Sequence, residues 1–138
     1  MRIWLEERIG NPELFTGRKK ELAYFLNWTD RIKRKISQST AVLSRRKTGK
    51  TALLQRLFNT VFEKNDRVIP FYYEIKESDK WLGDFAEDFF LTFIYQYIAF
   101  KTRNRDYLLP GRTRTLEDAY EVSGREGLDY LKDPIRGM

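Results

Sequence analysis

The stretch AVLSRRKTGKTALLQRLF, residues 41 to 58, holds the residues best suited to chemistry. Gly49, Lys50 and Thr51 fit the end of the pattern G-x-x-x-x-G-K-[ST]. In that pattern backbone N–H groups curl around the β-phosphate of a nucleotide, a lysine neutralises charge on the β- and γ-phosphates, and a hydroxyl ligates Mg²⁺. The eight positions here are Ser44, Arg45, Arg46, Lys47, Thr48, Gly49, Lys50 and Thr51. The match rests on the last three, because the middle positions are free and Ser44 stands where the pattern begins with glycine. A serine there costs on the order of 1 kcal/mol if φ is positive and little if it is negative, so the loop is expected to remain competent. A basic turn capped by Gly49 would produce the same triplet without any ligand.

Such a loop has to leave a strand and open a helix, so that the helix N-terminus and its dipole face the anion. Both flanks fit. STAVLS, residues 39 to 44, is short and apolar between polar neighbours, which suits a buried strand. From Gly49 to about Phe62 two adjacent rows, Leu53, Leu57, Val61 and Leu54, Phe58, Phe62, recur at i+4 spacing and read as a helix with one buried face. RVIPFYYEI, residues 67 to 75, is β-branched and aromatic and reads as a second strand, with Pro70 marking an edge or a bulge. Strand, helix, strand implies a right-handed crossover and a parallel sheet.

Upstream, NPELFTGRKKELAYFLNW carries a turn signal at Asn11-Pro12 and a cap at Thr16, followed by Leu22, Phe25, Ile32 and Ile36 on a helical period. Arg31, Lys33, Arg34 and Lys35 fall on the opposite side and read as a solvated face before a nucleic-acid stripe. From Trp81 to about Arg103 a long helical pattern sets Trp81, Phe85, Phe89, Phe93 and Tyr97 in one row beside Leu82, Ala86, Phe90, Ile94 and Ile98. Such an aromatic stripe is expected to be core, covering the sheet. Asp84, Glu87, Asp88 and Gln96 interrupt it, which argues against a membrane. Beyond Pro110-Gly111, TLEDAYEV suits a short helix, while Gly124, Gly127, Pro134 and Gly137 break the remainder.

Composition narrows the chemistry further. The 138 residues suit one domain with a core. The chain has no Cys and no His, which excludes disulfides, thiolate metal sites, cysteine nucleophiles and histidine bases. No apolar run is long enough for a membrane helix, and MRIWLEERIG is not a signal peptide, so a cytoplasmic protein is expected. The net charge of +6 is uneven: residues 1 to 51 hold 13 Lys/Arg against 5 Asp/Glu. Either a nucleic acid or a polyanionic nucleotide would suit that asymmetry.

PELFTGRKKEL followed by AVLSRRKTGKTALLQRL resembles the amino-terminal part of AAA+/STAND-type P-loop ATPases. Phe15, Gly17, Arg18, Glu21 and Leu22 match an F-x-G-R-x-x-E-L box, and Arg45, Arg46, Gly49, Lys50, Thr51, Leu53 and Leu54 match the loop. The resemblance spans residues 11 to 76 and implies an α/β chain with a partial P-loop NTPase fold, a parallel sheet with flanking helices. It implies ATP with Mg²⁺ as cofactor: Lys50 on the β- and γ-phosphates, Thr51 on the metal, and the amides from Lys47 through Ala52 around phosphate oxygens. Phe15, Gly17 and Arg18 would lie near the adenine, or else simply start a capped helix.

The family's Walker B carboxylates, sensor and arginine finger are not evident, so the chain reads as a single, incomplete ATPase domain over 1–138 in which hydrolysis would need segments supplied elsewhere. Glu74 imitates the expected acid too early in the chain, and a strand-end solvent acid suits it better. Two other readings remain. One is a basic nucleic-acid-binding module using Arg45, Arg46 and Lys47. The other is a small phosphotransferase, for which no lid or acceptor site is recognisable.

Overall fold

The computed structural model describes residues 19–34, 50–65, 67–74, 82–109 and 114–138. The chain divides into two compact units, Met1–Tyr72 and Tyr73–Met138.

In the first unit the i, i+3, i+4 apolar spacing yields two helices, α1 (Lys19–Lys33) and α2 (Lys50–Lys64). α1 buries Phe25 and Thr29 and packs against α2. The Thr29 hydroxyl goes in with its hydrogen-bonding satisfied, donating to the carbonyl of Leu26 at 2.7 Å. α2 buries Ala52, Leu53, Phe58, Val61 and Phe62, drawing on both expected rows, while Leu54 and Leu57 are half-buried. It ends at Asn65, whose positive φ of 49° is a conformation asparagine tolerates, with the Asn65 amide donating to the Phe62 carbonyl at 3.2 Å.

The second unit is built on α3 (Leu82–Thr102). A 3₁₀ turn at Arg105–Leu108 comes next, then α4 (Leu116–Arg125), a second 3₁₀ turn at Asp129–Leu131 and the short α5 (Lys132–Arg136). α3 packs on the first turn and on α4, and α4 on α5. Leu91, Ile94, Tyr95, Ile98 and Ala99 from α3 meet Tyr107, Leu108, Ala119, Val122, Leu131 and Ile135 in the core.

α4 carries its own start and stop signals. The Thr115 side chain accepts from the Asp118 amide at 3.0 Å. At the other end Gly127, with φ of +75°, lets the Leu128 amide return to the Ser123 carbonyl at 2.8 Å and its own amide to Gly124 at 3.2 Å. That paired return is the left-handed helix stop for which glycine is suited.

The α/β expectation is overturned: among the described residues every regular element is helical and there is no strand. The proposed strand at 39 to 44 lies outside the described residues. Of the one at 67 to 75, residues 68–74 carry no regular secondary structure and join no ladder. Pro70 withholds a donor, and β-branched and aromatic residues favour any half-buried extended surface, paired or not. Their side chains are occupied by rings instead: Tyr72 meets Phe58 edge-on at 6.5 Å, and Tyr73 meets Phe85 and Phe89 at 5.8 and 5.0 Å. Without a parallel sheet the resemblance to AAA+/STAND-type P-loop ATPases does not hold, because that fold hangs its phosphate loop and its catalytic acids on such a sheet.

α3 therefore covers no sheet. Its buried face also sits to one side of the expected stripe, leaving Phe89 and Phe93 at 41% and 42% exposure while Tyr95, in neither row, is fully buried.

This packing sets two expected outcomes. Ile98→Ala should destabilise the chain by about 2–5 kcal/mol, read from urea unfolding, since the side chain is wholly buried and its removal leaves a cavity. The Tyr73 phenol, donating to Asp88 at 2.8 Å, is pushed up to about 12 by burial first and then by the hydrogen bond and charge of Asp88. Folding thus favours the neutral phenol, so this stabilisation is complete below pH 10 and lost as pH rises from 10 through 12. An absorbance titration of phenolate should show a late-ionising tyrosine that Tyr73→Phe removes.

Candidate functional site

Of the residues singled out for phosphate chemistry, Lys50, Thr51 and Ala52 fall among the described residues, at the start of α2. Lys50 and Thr51 are the first two residues of that helix, where the loop pattern requires the helix to begin. Ala52 comes next and is buried at 4% exposure. The first turn of α2 contains no acid, so nothing within it cancels the positive end of the helix dipole. Phe15, Gly17, Arg18 and Ser44 through Gly49 lie outside the described residues.

Further along α2, Gln55, Arg56 and Asn59 are buried at 6%, 5% and 0% exposure. The sequence reading passed over them because it followed only apolar rows. The available signal was that Ala52, Arg56 and Gln55, Asn59 repeat at i+4 beside those rows, which makes α2 buried on nearly all sides. Glu74, weighed as a catalytic base, ends the irregular run 68–74, which belongs to no strand.

α1 presents a second arrangement. Burying Phe25 and Thr29 turns the opposite side outward, and Lys20, Ala23, Tyr24, Asn27, Arg31 and Arg34 are all exposed. At 100° per residue these six share about 100° of the helix surface, with Asp30 about 20° beyond one edge and Glu21 about 60° beyond the other. The sequence reading found Arg31 and Arg34 on this side, but not the continuation through Asn27 and Tyr24 to Lys20. Lys33 falls off the stripe by its helical position, and Lys35 lies outside the described residues.

Charge is segregated between the two units. Residues 1–72 carry 16 Lys/Arg against 7 Asp/Glu, a balance of +9, whereas residues 73–138 carry 10 against 13, a balance of −3. Polar groups in the second unit are committed to one another. Tyr95 donates to the Asp118 carboxylate, Tyr107 donates to Glu126 at 2.5 Å, and Arg125 reaches the Tyr107 oxygen at 3.4 Å. Burial, then the bond to Glu126, pushes the Tyr107 phenol up. Lys132 and Arg136 both lie over the Tyr120 ring, at 5.2 Å each.

Among the described residues no group of three or more acids could hold a metal ion, and no helix is long and apolar enough to cross a membrane. The chain matches no family model, no curated protein and no solved structure.

Proposed function

We propose that the first unit binds phosphate groups, and that the start of α2 receives the triphosphate tail of a nucleotide such as ATP together with Mg²⁺. The observation that carries this reading is the position of the helix start: α2 opens at Lys50 with no acid in its first turn, directly after the cationic run Arg45 to Lys47. Free amides at a helix start and adjacent cations are what a phosphate requires, and neither depends on a parallel sheet. In this role Lys50 supplies the charge-assisted contact and Thr51 a hydroxyl for the metal. The reading covers binding alone, because cleavage also needs a positioned water and neutralisation of charge developing on the γ-phosphate.

A second reading is favoured by the charge balance of +9 over residues 1–72, which suits a nucleic acid as well as a nucleotide.

For the nucleotide, calorimetry with Mg–ATP on the full chain should give measurable binding. Lys50→Ala should weaken it by roughly 10- to 100-fold, the equivalent of losing a charge-assisted hydrogen bond of about 1.5–3 kcal/mol. Absence of binding by the unaltered chain, or unchanged affinity in the variant, would defeat the nucleotide reading.

A further inference from the structure

We infer that the outward stripe of α1 is a surface for double-stranded DNA, lying along the major groove. The inference rests on the nucleic-acid reading above and assigns the contact to α1 rather than to Arg45, Arg46 and Lys47.

Composition is the first support. An exposed helix face ordinarily mixes signs, with acids and bases paired at i, i+4. The α1 stripe runs Lys20, Ala23, Tyr24, Asn27, Arg31, Arg34, with Asp30 at its edge four residues before Arg34, while Lys20 and Arg31 have no acid three or four residues to either side. Arg31 and Arg34, three residues apart, are like charges at a spacing where they repel. The helix dipole accounts for two arginines near a C-terminus, but it opposes Lys19 and Lys20, which sit exposed in the first turn. Cations held at both ends of one face suit an anion that runs the length of the helix.

Shape is the second support. From Lys20 to Arg34 the stripe extends about 21 Å at 1.5 Å per residue, long enough to follow the groove past several base steps. A helix is about 10–12 Å across with its side chains, and the B-form major groove, about 12 Å wide, admits it. The A-form groove of duplex RNA is too narrow for side chains to read, so the fit selects DNA.

The uncharged members of the stripe also suit a groove. Tyr24, 54% exposed, offers a phenol for phosphate contact, Asn27 offers an amide that can pair with adenine, and Ala23 leaves room for close approach of the backbone. The opposite side of α1 is taken up by the packing of Phe25 and Thr29, so the stripe can face a partner without disturbing the fold.

The test is fluorescence anisotropy of the full chain with a labelled mixed-sequence DNA duplex and the matching RNA duplex, over a series of salt concentrations. The unaltered chain should prefer DNA. The triple variant Lys20→Ala, Arg31→Ala, Arg34→Ala should bind at least about 10-fold more weakly, with the slope of log K against log salt shallower by about 3, one for each phosphate no longer neutralised. Asn27→Glu, which replaces an exposed residue by a better helix former and sets a carboxylate against phosphate, should weaken binding while helix content by circular dichroism stays unchanged. If these variants bind as the parent does while Arg45→Ala, Arg46→Ala, Lys47→Ala loses binding, the nucleic-acid reading stands and the assignment to α1 is overturned. Equal or tighter binding of the RNA duplex overturns the groove placement. Failure of the parent chain to bind either duplex overturns both the inference and the reading beneath it.

Discussion

One-sided burial of helices is the constraint that organises this protein. A helix that commits Phe25 and Thr29 to the interior has no freedom over which residues it shows to water, because the 3.6-residue period fixes the opposite face. The stripe from Lys20 to Arg34 on α1 is therefore a consequence of packing against α2, and the chain can vary its chemistry only through residue type. α2 answers the same constraint differently. Apolar and polar rows alike are covered, and Gln55, Arg56 and Asn59 enter the interior with Leu53 and Phe62.

In the second unit the governing problem is the burial of aromatic hydroxyls. A phenol taken from water without a partner costs free energy comparable to a lost hydrogen bond. Tyr95 and Tyr107 resolve this by donating to Asp118 and Glu126, both on or just after α4, so that polar pairing fixes how α4 sits against α3 and the 3₁₀ turn. Smaller hydroxyls turn back on their own helices: Ser123 donates to the Ala119 carbonyl and Thr102 to that of Ile98, each at 2.7 Å. The carboxylates of this unit that face tyrosines are thereby engaged in structure, which argues against reading them as a catalytic pair.

The three longer helices were legible in the residues, α5 around Pro134 was not, and the sheet was a misreading, for a physical reason. Periodicity at i+4 reports on a single element, and it located α1, α2 and α3 to within a few residues. A strand has meaning only with its neighbour, and the β-branched, aromatic run at 67 to 75 reports a preference for extended, half-buried backbone and nothing about pairing. Tyr73 shows how that preference is met without a sheet, through rings on α3 and a bond to Asp88. Of the expected phosphate site, the helix start at Lys50 was legible because Gly49-Lys50-Thr51 precedes an amphipathic row. The buried polar side of α2 was not, because hydropathy patterns pass over an arginine or asparagine that packing encloses. Tyr95 escaped notice for a related reason: the face α3 buries is chosen by α4 and the 3₁₀ turn, and the stripe of largest aromatics is displaced from it.

A balance of +9 over residues 1–72 would suit phosphate of any kind, so charge alone does not separate the proposed nucleotide from the proposed duplex. Geometry does. A triphosphate is compact and needs donors converging on one point, which the end of a helix provides through amides that share a direction. A duplex presents phosphates and base edges over tens of ångströms and needs donors spread along a line, which only the side of a helix provides. α2 is buried along its sides and acid-free at its start, while α1 is cationic along its exposed side and carries Glu21 in its first turn. Under the two proposals the helices would meet opposite geometries of the same anion, one at its end and one along its side.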